Sequence, residues 1–381
     1  MSAPTAYPDY SPGLQGIIAG ITTISEIDVP TSSLTYRGIN VHELAEHAVF
    51  EETAYLLLMG KLPNKTELAE FKARISNESA IPQPVIDALK LCPKNMHPMD
   101  KLKMAYSMLG AMDSDYEADP ISHEANVRKA IRIVAKAANL VAAAHRINEG
   151  LDPISPDPEL GIAANLMYTM KGEKPDEFVT KVMDASLTLY AEHGFNASTF
   201  ACRVCVATLS DLYSGVVTGI GTLKGPLHGG ANEEAMYMLM EIDKMGDAAK
   251  WTHDALASKK KIMGFGHREY RVGDSRAAYM SKLGKEIGQR VGDTHWGDIA
   301  ETMERIMWDE KKLFPNVDFP SAYAYYLLGI PIPLYTPIFV VARTTGWCAH
   351  MIEQLDNNRL IRPTCIYEGP KVTEFVALEN R

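Results

Sequence analysis

The 381-residue sequence predicts a mainly α-helical fold with a large and a small domain around a cleft and one small β-hairpin near the N-terminus. Three observations lead there. β-rich residues concentrate in one early segment, nearly every later segment carries helix starts and stops, and the composition shifts twice in the second half.

Taken in order, "ITTISEIDVPTSSLTYRGIN" (21–40) sets two β-rich runs around the breaker "VPTSS", the pattern of a hairpin. From Asn64, "NKTELAEFKARI" has an N-cap Asn with Glu67 three residues on, a capping-box signature. "DEFVTKVMDASLTLYAEHG" runs from the acidic first turn Asp176 and Glu177 to Gly194, read as its stop. In "TPIFVVARTTGWCAHMIEQL", Thr336 and Pro337 form a cap and first-position pair. A glycine-rich stretch (214–230) and a proline-rich one (313–337) bracket a more charged segment. It reads as an inserted small domain, 226–324, with 1–225 and 325–381 forming the large one and the brackets serving as hinges.

Composition excludes several classes. With 46% hydrophobic and 23% charged residues, the chain is an ordinary globular protein with a sizeable core. Its formal net charge of −10 argues against nucleic acid or anionic membranes as partners. No run approaches a membrane span, the opening residues lack a signal-peptide pattern, and five cysteines suit a reducing compartment; the expected address is cytoplasmic.

Three motifs fail on physical grounds. "HELAEH" spaces His42 and His47 by five, about 140° apart on a helix, so they cannot share a metal and the segment reads as a surface helix. Cys202 and Cys205 of "CRVC" lie in an apolar helical stretch with no second pair, and read as core thiols. "GIGTLKG" (219–225) misses the dinucleotide fingerprint and reads as a loop.

One constellation survives. "KKKIMGFGHREYRVGDSR" gathers Lys259, Lys260, Lys261, Arg268, Arg271 and Arg276 around His267 in an acidic protein, making a local anion site whose Asp274 is placed to cap the next helix. His193, His228, Asp318 and Arg343 stand in similarly unusual settings, and an anionic ligand would give Arg343, inside an apolar helix, its missing partner.

"GPLHGGANEEA", "GFGHREYR", "NVDFPSA", "RTTGWCAHMIEQ" and "NNRLIRP", in that order, resemble the citrate synthase family, in particular its short bacterial and archaeal members. The resemblance also takes in "LTYRGI", "YLLLMGKLP", "HPMD", "EHGFNAST" and "IYEGP". It implies a homodimeric acyltransferase that condenses acetyl-CoA, a substrate, with oxaloacetate and needs no cofactor or metal. By position, Asp318 corresponds to the base that takes the methyl proton, His228 to the donor that stabilises the enolate oxygen, and His267 to the residue that polarises and protonates the ketone. His193, Arg276 and Arg343 match the oxaloacetate-carboxylate positions, and Arg362 the arginine that reaches in from the partner subunit. Lys261, Ile262, Met263, Gly264, Phe265, Gly266 and Arg271 resemble the CoA-binding stretch.

Two positions depart from the family pattern: Ser275 replaces a usual proline, and Pro320 a usual aromatic residue. The alternatives are a 2-methylcitrate synthase using propionyl-CoA, which differs by one methylene, and, from other classes, a metal-dependent hydrolase or a non-catalytic binding protein. Arginines around His267 weigh against a bound cation.

Overall fold

The computed structural model describes residues 10–267 and 269–381; the opening nine residues and Arg268 of the basic segment lie outside the described residues. The expected hairpin is β1 (Ser25–Asp28) and β2 (Ser33–Tyr36), antiparallel with Ser25 opposite Tyr36, and a third strand, β3 (Ile39–Asn40), extends it. The third strand was not anticipated because it is only two residues long and runs straight into a helix.

Helices follow almost without interruption: α1 (Val41–His47), α2 (Phe50–Met59), α3 (Lys65–Glu78), α4 (Gln83–Leu91), α5 (Pro98–Ala111), α6 (His123–Asn148), α7 (Ile162–Lys171) and α8 (Glu177–Tyr190). After them come α9 (Ala197–Val206), α10 (Leu212–Leu223), α11 (Ala231–Met245), α12 (Ala248–Ala257), α13 (Ser275–Val291), α14 (His295–Lys311), α15 (Asp318–Leu327) and α16 (Tyr335–Asp356). Asn64 and Glu67 make the expected capping box on α3, and Asp176 caps α8.

Helix α16 is buried along nearly its whole length, as an apolar helix must be. Helices α2, α5, α6, α8, α9 and α10 pack on it. A second group forms around α15, which lies against α13 and α11, while α12 lies against α14. The groups meet where α8 touches α13 and α11 touches α16.

Three local expectations are corrected. Helix α8 ends at Tyr190 rather than Gly194, because tertiary bonds stop it: the Tyr36 hydroxyl donates to the carbonyl of Thr188 (3.0 Å), and the Glu192 carboxylate accepts from the Gly194 amide (2.5 Å). Helix α16 starts at Tyr335, and Thr336, inside its first turn, gives its hydroxyl proton to Glu233 of α11 instead of capping. Gly219 to Leu223 are helical, not a loop. A Cβ on Gly219 would lie 2.7 Å from Cys202 Sγ and 3.0 Å from the Trp347 ring, so this glycine permits close helix packing.

Cys202 is buried, but Cys205 is only half-buried, so the core-thiol reading holds for one of the pair. His47 is exposed beside Glu43, whereas His42 is half-buried against the Tyr279 ring. No described helix is long and apolar enough to cross a membrane.

Candidate active site

The chain leaves α8 at Tyr190 and turns at once into His193, which is 6% exposed. Its ring stands edge-on to His267 (centroids 5.0 Å apart), and its Nε2 lies 3.1 Å from the Tyr270 hydroxyl. Burial, reinforced by Arg276, His267 and Arg343, pushes its pKa well below the usual histidine value, so it is neutral.

His267 sits between the basic segment and α13. The amides of Glu269 and Tyr270 both donate to its Nδ1 (3.1 and 3.2 Å). Nδ1 is therefore the acceptor, and the neutral ring carries its proton on Nε2. Burial first and the Arg276 charge second lower its pKa to about 4.

His228 has the opposite tautomer. The Ser198 amide donates to its Nε2 (3.3 Å), and Ser198 Oγ lies 2.8 Å from the same atom. The proton of the neutral ring is then on Nδ1, free for a ligand. Trp347 Nε1 in turn donates to Ser198 Oγ (3.1 Å). Burial, followed by Arg343, lowers the His228 pKa to about 4.

Asp318 is the first residue of α15, where the helix dipole favours its ionised form. The Tyr190 hydroxyl donates to its Oδ1 (2.9 Å), and its own amide donates to Asn316 Oδ1 (3.1 Å). Burial raises its pKa to about 6, against the lowering effects of the Tyr190 bond, Arg276 and Arg343. Such a carboxylate is ionised at neutral pH yet more basic than one in water.

The arginines differ. Arg276 is 4% exposed and forks onto Asp274 through Nε and Nη2 (3.0 and 2.8 Å). Asp274 also caps α13, as expected. Arg343 is 1% exposed, donates from Nε to the Tyr190 carbonyl (2.8 Å) and lies over the Phe339 ring (4.7 Å). Among the described residues no carboxylate lies within ion-pair distance of it, and burial lowers its pKa to about 10, leaving it charged at neutral pH. Glu192 and Asp318 act on it only at longer range and do not offset burial, so an anionic ligand in direct contact would lower the cost of the buried charge.

The basic segment divides. Lys260 is taken up by Glu241 (2.8 Å), while Lys259, Lys261 and Arg271 are exposed. Residues 264–266 bond to 314–316: the Gly266 amide donates to the Phe314 carbonyl (2.8 Å) and the Asn316 amide to the Gly264 carbonyl (2.9 Å). Gly264 has φ +80°, and a Cβ there would stand 2.7 Å from Phe319 Cβ, so only glycine lets the loop lie against α15. Phe265 stacks obliquely on Phe319 (4.6 Å).

His193, His228, His267, Arg276, Asp318 and Arg343 thus form one electrostatically coupled cluster. Arg362 is not part of it within this chain; it is exposed on the extended segment after α16. Sequence reasoning missed Tyr190, Ser198 and Tyr270, which orient the cluster. The two departures are harmless to the helices: Ser275 and Pro320 lie in the first turns of α13 and α15, where no intrahelical amide bond is required. Among the described residues no three His, Cys, Asp or Glu side chains gather to hold a metal ion.

The family model described as the citrate synthase C-terminal domain matches residues 13–364. Citrate synthase 2 of Bacillus subtilis is 49% identical over 370 residues, 97% of this chain and 98% of that one. The 2-methylcitrate synthase of Mycobacterium tuberculosis is 44% identical over 371 residues, 97% of this chain and 93% of that one. The solved citrate synthase of Thermoplasma acidophilum, a ternary complex with carboxymethyl coenzyme A and oxaloacetate, superposes with a TM-score of 0.92 at 31% identity, covering 98% of this chain and all of that one. Sequence motifs, fold and relatives converge: the chain belongs to the citrate synthase family of enzymes.

Proposed function

We propose that this protein condenses acetyl-CoA with oxaloacetate and hydrolyses the resulting thioester to citrate and CoA, an acyl transfer of the tricarboxylic acid cycle. The observation that carries the reading is the company Asp318 keeps. It is a carboxylate ionised above about pH 6, in one cluster with two neutral imidazoles that each offer an N–H and a buried arginine with no carboxylate in direct contact.

Asp318 takes a methyl proton from acetyl-CoA, and His228 Nδ1–H stabilises the developing enolate oxygen. His267 Nε2–H polarises the oxaloacetate ketone and protonates it as the carbon–carbon bond forms. Arg276, Arg343 and His193 hold the two carboxylates. Lys261 to Gly266 and Arg271 bind the CoA nucleotide. No cofactor or metal takes part.

The active form is a homodimer in the cytoplasm, with Arg362 completing the partner's site. Residues 226–324 close on the rest of the chain and exclude water during condensation. Support for the dimer comes from both ends of the chain, where large apolar side chains lie uncovered: Ile18 is 89% exposed, Tyr367 75% and Phe375 86%.

Release of free CoA, followed with a thiol reagent in the presence of oxaloacetate, tests the proposal. Faster release from acetyl-CoA than from propionyl-CoA is expected. The reverse preference would make the protein a 2-methylcitrate synthase, the reading favoured by the 44% identical relative of that name. No release from either thioester by folded protein would sink both.

A further inference from the structure

Tyr190, 1% exposed at the end of α8, is attached through its hydroxyl and its carbonyl as well as through its ring. Its hydroxyl lies 2.9 Å from Asp318 Oδ1 and 3.0 Å from Ser321 Oγ. Its carbonyl accepts from Arg343 Nε (2.8 Å). Its ring stands edge-on to Phe339 (4.5 Å), over which the Arg343 guanidinium lies.

The hydroxyl has two acceptors and one proton. Ser321 Oγ gives its own proton to the Val317 carbonyl (2.7 Å), so toward Tyr190 it can only accept. Ser321 alone would satisfy a buried phenol, and the bond to Asp318 is additional. Burial keeps the phenol's pKa well above its usual value, so it remains a donor.

We propose that Tyr190 is the positioning residue of the general base: it holds Oδ1 of Asp318, reserves Oδ2 for the substrate proton, and swings its own proton to Ser321 once Asp318 is protonated. The inference rests on Asp318 being the base. The methyl proton goes to Oδ2, the electron pair stays on the substrate as enolate, and only a hydrogen bond changes partner at Tyr190. A donor that holds the carboxylate while it is charged and leaves when it is neutral fixes its geometry at the cost of some basicity, because the bond lowers the Asp318 pKa against the larger raising effect of burial. Through its carbonyl and ring, the same residue sets the distance from the base to Arg343.

The test is the pH dependence of kcat/KM for acetyl-CoA in full-length Tyr190→Phe, Ser321→Ala and Asp318→Asn proteins. Tyr190→Phe keeps the ring and the carbonyl. It should move the acid limb up by about one pH unit, lowering activity about fivefold at pH 6, with the KM for oxaloacetate unchanged. Ser321→Ala leaves the phenol only the carboxylate to bond and should move the limb down. A general packing defect does not produce shifts of opposite sign. An unmoved limb in Tyr190→Phe, or a loss that is uniform across pH, overturns the positioning role provided Asp318→Asn is inert. An active Asp318→Asn overturns the base assignment itself. Should Tyr190→Phe fail to fold, the sign of the Ser321→Ala shift decides.

Discussion

Replacing Asp318 with asparagine should lower turnover by a factor on the order of 10³ while making the protein more stable above pH 6. The activity loss follows because the amide keeps the shape and can still accept from Tyr190 but cannot take a proton. The stability gain follows from the raised pKa of the carboxyl, about 6 in the fold against an ordinary 3.8. Between these values the folded chain binds a proton that the unfolded chain does not, so wild-type stability falls as pH rises from about 4 to 6. Asparagine removes that slope. Thermal melts should show the variant above wild type at pH 7 to 8 and equal to it near pH 4. Equal melting temperatures at every pH would mean that Asp318 carries no strain from burial. Because burial lowers the His228 and His267 pKa values to about 4, the acid limb near pH 6 belongs to Asp318.

Arg343→Leu is expected to raise the KM for oxaloacetate by two to three orders of magnitude, roughly the cost of truncating one partner of a buried charge pair. Affinity for the thioester should change little. Because the Arg343 charge lowers the pKa values of buried Glu192 and Asp318, the variant should also lose stability where those carboxylates are ionised, so its melting temperature should drop more at pH 8 than at pH 5. Lowered affinity for acetyl-CoA with unchanged affinity for oxaloacetate would place this arginine on the wrong substrate. The variant also removes a charge that helps depress the pKa values of His228 and His193, so both should titrate at higher pH, visible by NMR of the imidazole protons.

Much of this was legible in the sequence because the reacting side chains lie in short, ordered motifs. His228 stands among glycines, His267 in a basic run, and Asp318 beside a proline-flanked aromatic. The residues that aim them were not legible. Tyr190 ends an apolar helix and Ser198 begins another, and nothing local distinguishes a tyrosine that holds a carboxylate from one that fills a core. Their roles depend on partners 128 and 30 positions away in the chain. Gly219 was misread for a related reason: a glycine chosen for a helix seam looks, one residue at a time, like a glycine chosen for a turn. Thr336 has good capping chemistry, yet Glu233, across the helix junction, took its hydroxyl.

The contact between Gly264 and Phe319 makes the glycine loop and the start of α15 one stiff piece. On the proposed reading, one end of that piece grips the nucleotide and the other carries the base, so the handle of the carrier molecule sets the aim of the tool. An acetyl thioester cut down to its pantetheine arm should therefore react slowly even at saturation, losing kcat and not merely affinity, because binding energy from the distant adenine is spent on aligning the carboxylate.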